Sequence, residues 1–133
     1  LTIKKCHYDL QVEYIDGVLH ESDYELYLND KLDKWVKVQD TGGKMVGSKN
    51  GKNSVDLGDE ITYSSSLFFF KEPKGVKSTF SESNMKTPSV SEESDSPGVY
   101  LLDKSKGSYH YDNGKLMKVV VKDVINLEMV RRQ

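Results

Sequence analysis

The chain has 133 residues, of which 36% are hydrophobic and 30% charged, with a net charge of −2. That length fits a single domain, 1–133, and its longest apolar run, Leu67-Phe68-Phe69-Phe70, is far short of the roughly 18 residues that a membrane-spanning helix needs. The balanced charge shows no basic stripe of the kind that nucleic-acid binding requires.

Alanine, the best helix former, is absent, whereas Tyr, Val, Ile, Thr and Phe are frequent; helix is therefore disfavoured and strand favoured throughout. Cys6 is the single cysteine, so no intrachain disulfide can form. The first residues read neither as a signal peptide nor as a lipidation motif. No targeting segment is expected within these residues, and cytoplasmic and secreted settings both fit.

From the N-terminus, Cys6, Tyr8, Leu10, Val12 and Tyr14 alternate with His7, Asp9, Gln11 and Glu13. Period two with one apolar face predicts a half-buried strand. Asp16-Gly17 between Ile15 and Val18 predicts a tight hairpin, because a type I′ turn needs positive φ at both central residues. The returning strand starts at Val18, breaks near Glu21-Ser22-Asp23 and resumes with Tyr24, Leu26 and Leu28. A polar connector, 29–34, leads to the strand Trp35-Val36-Lys37-Val38, and the Gly-rich stretch 40–53 reads as a long loop with a short edge strand at Met45-Val46.

Leu57-Gly58-Asp59-Glu60 turns into a strand from Ile61 to Phe70, the most apolar stretch and hence expected at the centre of the fold. Residues 74–97 hold many Ser, Glu and Lys and read as one polar, partly mobile surface loop. Strands follow at Val99–Leu102 and Ser108–Tyr111. The hairpin turn Asp112-Asn113-Gly114 leads to Leu116–Val121, and Val124, Ile125, Leu127 and Met129 supply a last strand or a bent continuation. About eight strands at intervals of roughly 8–12 residues predict an all-β antiparallel sandwich, immunoglobulin-like or similar, with one long Ser-rich loop. The expected core is Tyr8, Leu10, Val12, Leu26, Val36, Ile61, Leu67, Phe69, Leu101, Val119 and Val121.

Signals for chemistry are few. Cys6 and His7 are adjacent on a strand and point to opposite faces, so they cannot act as a nucleophile–base pair. His7, His20 and His110 lack the short spacings of metal ligands. No phosphate loop, dinucleotide fingerprint, Gly-X-Ser-X-Gly or calcium loop is present. The expectation is a non-enzymatic chain with neither cofactor nor metal. Thr87-Pro88, Ser96-Pro97 and the acidic run Ser91–Asp95 resemble kinase sites, but their composition is also that of any solvated loop.

Eight tyrosines and one tryptophan are the compositional pointer to function, since Tyr and Trp give contact area at low entropic cost and are enriched at binding hot spots. Tyr14, Tyr27, Tyr109 and Tyr111 are the candidates for strand positions that contact a partner protein. No nucleic acid and no membrane insertion are expected. A second reading is a small apolar-ligand carrier, with the sheet closed into a barrel around a cavity.

Trp35-Val36-Lys37-Val38, Asp40, Ser48-Lys49-Asn50-Gly51, Leu57-Gly58-Asp59-Glu60-Ile61 and Phe68-Phe69-Phe70 together resemble the latter half of a forkhead-associated domain. That family is a β-sandwich that binds phosphothreonine peptides. The resemblance implies phosphate contacts from Lys49 and Asn50. The opening Gly-Arg strand of that family has no counterpart here, and no arginine precedes Arg131 to grip a phosphate with two parallel hydrogen bonds.

Overall fold

The structure is a computed structural model; it describes residues 5–122 and 126–131. The all-β expectation is borne out. Among the described residues there are ten strands and one 3-10 helix, Ser65–Phe69, and every strand pairing is antiparallel. The strands form two five-stranded sheets: β1 (Cys6–Ile15), β2 (Val18–Leu28), β3 (Lys31–Asp40), β4 (Met45–Lys49) and β5 (Val55–Gly58) in one, and β6 (Val90–Glu92), β7 (Val99–Leu102), β8 (Gly107–Asp112), β9 (Lys115–Lys122) and β10 (Asn126–Val130) in the other. Every pairing joins neighbours along the chain, so each sheet is a meander rather than the Greek key of immunoglobulin domains. The chain forms two compact units, one comprising residues up to Tyr63 with Ser81–Lys86, the other Ser64–Phe80 with the chain from Thr87 onward.

Local turn chemistry sets the meanders. Asp16 and Gly17 have φ of 51° and 80° between the paired Ile15 and Val18, and Asn113 and Gly114 have 51° and 77° between Asp112 and Lys115. These are the two-residue turns that the sequence predicts. A third, Asn29-Asp30 at 51° and 66°, closes β2 onto β3 where a polar connector was expected. The lone Cys6 is half-buried.

In the first unit, β1 alternates residue by residue, with Tyr8, Leu10, Val12 and Tyr14 half-buried and His7, Asp9, Gln11 and Glu13 exposed. Leu19, Ser22, Val36, Val38 and Met45 are fully buried on the same side as Leu10 and Val12. Gly47 leaves room there for Met85: a Cβ at Gly47 would stand 2.5 Å from Met85 Sδ and 2.9 Å from Leu57 Cδ1. Burial, then the nearby Glu82 carboxylate, raises the Tyr8 pKa. Burial, followed by Tyr14, pushes Tyr63 up to about 12.

In the second unit, the core is Phe68, Phe80, Val90, Tyr100, Tyr109, Leu116 and Val119. Two sequence expectations are corrected here. The run from Ile61 to Phe70 is no central strand. Its second half winds into the 3-10 helix, which buries Phe68 and leaves Phe69 and Phe70 exposed. Four consecutive apolar residues carry no period, and tertiary contacts choose among them. Phe68 meets the Tyr109 ring edge-on at 4.6 Å, while its carbonyl accepts from the Tyr111 hydroxyl at 2.6 Å.

The segment 74–97 is likewise not a polar surface loop. It contains β6, buries Thr79, Phe80, Glu82 and Val90, and forms bridges at Ser64–Phe80 and Ser78–Ser89. Leu101, expected in the core, is half-buried; its neighbour Tyr100 takes the buried position. Of the last expected strand, Val124 and Ile125 lie outside the described residues.

Candidate functional site

The site is built by the register of β1, β2 and β3. Ile15 pairs with Val18 and Tyr14 with Leu19, but beyond a bulge Glu13 pairs with Glu21 and the whole ladder is shifted by one. His20 is the extra residue. Without that bulge Glu13 would face His20 and Asp9 would face Tyr24, because a one-residue slip sends a strand's side chains to the opposite face.

With the bulge, the exposed face of the sheet is a grid of rows. His7, Tyr27 and Leu32 form one; Asp9, Glu25 and Trp35 the next; then Gln11, Asp23 and Lys37; then Glu13, Glu21 and Gln39. Asp9 stands directly opposite Glu25, and Glu13 directly opposite Glu21. Like charges in such pairs, with Cβ atoms roughly 5 Å apart, are destabilising. Lys37 Nζ reaches Glu21 at 3.2 Å and His20 Nε2 lies 3.8 Å from Glu13.

The aromatic part of the grid is ordered. His7 and Tyr27 stack with ring centroids 4.7 Å apart and planes 7° from parallel. Burial, followed by Glu25 and Asp9, raises the Tyr27 pKa. Trp35 is 39% exposed beside this stack. The Asn50 side chain holds it in register: Asn50 Oδ1 accepts from Trp35 N at 2.9 Å, while Asn50 N donates to Trp35 O at 2.8 Å.

The four candidate tyrosines do not form one surface. Tyr27 lies in the grid, as the alternation allows. Tyr14 is half-buried on the opposite face of β1, close enough to Tyr63 to influence its hydroxyl. Tyr109 is buried against Phe68, and Tyr111 spends its hydroxyl on the Phe68 carbonyl and its ring on Tyr100 at 5.6 Å. Both therefore serve the core of the second unit: two positions apart on β8, they share one face by the strand's period, and the register shift beside them adds its extra residue, Met117, to β9. Of the candidate phosphate contacts, Lys49 is exposed at the end of β4, and Asn50, with φ of 55°, is a turn residue whose carboxamide oxygen is committed to Trp35.

The sequence indicates half of the acidic grid, since Asp9 and Glu13 already alternate with the apolar face of β1. Its opposing half, Glu21, Asp23 and Glu25, depends on the bulge, which no local signal announces. Among the described residues no group of three or more His, Cys, Asp or Glu side chains is arranged to hold a metal ion, and no helix is long and apolar enough to cross a membrane.

A family model described as Domain of unknown function (DUF6134) matches residues 1–132. The chain belongs to that family. No curated protein and no solved structure matches it. Membership in DUF6134 carries no activity with it, so the functional reading rests on the geometry of this chain.

Proposed function

We propose that this DUF6134 chain is a non-enzymatic binding module that takes a basic, extended segment of a partner protein on the exposed face of β1–β3. The observation that carries this reading is the two directly opposed carboxylate pairs, Asp9–Glu25 and Glu13–Glu21, beside the exposed Trp35 and the His7–Tyr27 stack. A face that opposes like charges gives up stability of its own. A cationic partner relieves that repulsion, and Trp and Tyr supply the apolar anchor common at hot spots. Lysine or arginine at alternate positions of an extended segment repeats with the two-residue period of Glu21, Asp23 and Glu25 along β2, and every second one also matches Asp9 and Glu13 on β1.

The test is calorimetric titration with a synthetic alternating Lys-Thr peptide and its Glu-Thr counterpart. The Lys peptide should bind, the Glu peptide should not, and affinity should fall as salt screens the exposed charges. Trp35→Ala should weaken binding by about tenfold or more. The double variant Asp9→Asn/Glu13→Gln should bind more weakly yet melt higher than the parent. Equal affinity for both peptides, or binding indifferent to the double variant, would sink this reading.

A further inference from the structure

We infer that the second unit carries a separate contact surface, a peripheral docking site for an anionic lipid surface centred on Phe69 and Phe70. Phe70 is 84% exposed, Phe69 41% and Val130 63%. These are not scattered single residues: Phe69 and Val130 line the same open groove of about 230 Å³, with Leu116 and Met117 as further apolar walls and Lys118 and Arg131 at its margin. Phe70 is the next residue along the chain after Phe69.

The segment is presented rigidly. Phe70 N and Lys71 N both donate to Leu67 O, closing the end of the 3-10 helix. Two residues further on, Pro73 is fully buried and Glu72 accepts the Tyr100 hydroxyl at 2.6 Å. An aromatic held in the open by a pinned backbone is more than a frayed loop tip.

Charge names the occupant. Between residues 69 and 77 the ionic groups are Lys71, Glu72, Lys74 and Lys77. The three lysines are exposed, while Glu72 is turned onto Tyr100. The stretch therefore offers solvent two phenylalanines and three cations. Arg131 is exposed too, its Nε anchored on Leu116 O at 2.7 Å. Apolar side chains that enter the headgroup–acyl boundary, flanked by lysines that meet anionic headgroups, are the two components of interfacial binding. The whole chain carries a net charge of −2, so attraction to an anionic surface must come from this local cluster.

Vesicle co-sedimentation tests the proposal, using phosphatidylcholine with and without phosphatidylserine at low and high salt. The parent chain should sediment with the phosphatidylserine vesicles at low salt and not with phosphatidylcholine alone. Each lysine near the surface is worth roughly fivefold in partitioning, so Lys71→Gln/Lys74→Gln/Lys77→Gln should lose on the order of a hundredfold. Phe70→Ser removes an exposed side chain and leaves the core intact; it should lose about tenfold or more, with an unchanged circular dichroism spectrum. Three outcomes overturn the proposal. The parent ignores phosphatidylserine vesicles at low salt; Phe70→Ser binds them as the parent does; or sedimentation shows a dimer of the parent that Phe70→Ser converts to monomer, which makes the patch a self-association surface.

Discussion

The Tyr100 hydroxyl on β7 donates to Glu72 Oε2 at 2.6 Å, joining two residues 28 positions apart in the second unit. Burial, followed by Glu72, holds the Tyr100 pKa well above the ordinary tyrosine value. Tyr100→Phe keeps the ring against Tyr111 but strips a carboxylate of its donor. A hydrogen bond to a charged group contributes roughly 1.5–3 kcal/mol, and urea denaturation should register a loss of about that size.

Tyr100 and Tyr63, both raised above the ordinary tyrosine value, set the alkaline limit of the fold. A hydroxyl whose pKa is higher in the folded state than in the unfolded chain contributes stability that is complete below the unfolded value of 10.0 and is lost as pH rises beyond it. Tyr63, held at about 12, adds a loss between those two values. The unfolding midpoint should therefore be insensitive to tyrosine ionisation below pH 10.0 and fall from there upward. The slope should be shallower in Tyr100→Phe and in Tyr63→Phe, and an unchanged slope in both would show that these hydroxyls are not the titrating groups.

Gly98 and Gly17 separate crowding from backbone strain. Both have positive φ, 86° and 80°. A Cβ at Gly17 meets nothing within 4 Å, whereas one at Gly98 would stand 2.8 Å from the Tyr111 carbonyl oxygen. Gly17→Ala should cost about 1–2 kcal/mol, the penalty of the left-handed region alone. Gly98→Ala should cost more, because the hydrogen bond from Tyr111 N to Gly98 O, 2.8 Å long, leaves the two backbones no room to part. Thermal melts of the two variants give the comparison directly.

Ser22 is the clearest place to gain stability. It is fully buried on the apolar side of the first sheet, and its hydroxyl has no hydrogen-bond partner. An unpaired buried polar group costs roughly 1–3 kcal/mol. Ser22→Ala should raise the unfolding free energy by an amount in the lower part of that range, since the lost oxygen also leaves a small void. A destabilised variant would show that the hydroxyl has a role in the folded state.

Replacing Ser81–Ser96 with a short Gly-Ser linker should destabilise the chain severely. Composition alone predicts a neutral change, as closure entropy varies slowly with loop length. The structure reverses that expectation: the replacement removes β6 from the edge of its sheet and takes buried Glu82 and Val90 with it. Val90 alone accounts for about 1.5–3 kcal/mol of burial. A melting temperature equal to the parent's would restore the loop reading.

Features that depend only on neighbours along the chain can be read directly from the residues. The alternation of β1 and the turns at Asp16-Gly17 and Asn113-Gly114 were legible because strand faces and positive-φ pairs are local properties. Tertiary structure decided the rest. Which phenylalanine of an unbroken apolar run is buried was settled by Tyr109 and Tyr111, more than forty positions downstream. Segment 74–97 looked dispensable because its anchors include Thr79 and Glu82, polar residues that composition counts as solvated. The acidic grid needed the bulge opposite Glu13 and Tyr14, where His20 is the added residue of β2 that turns Glu21, Asp23 and Glu25 toward Asp9 and Glu13. Its position is set by which side of β2 must be buried, a requirement of the assembled sheet that no short stretch of sequence expresses.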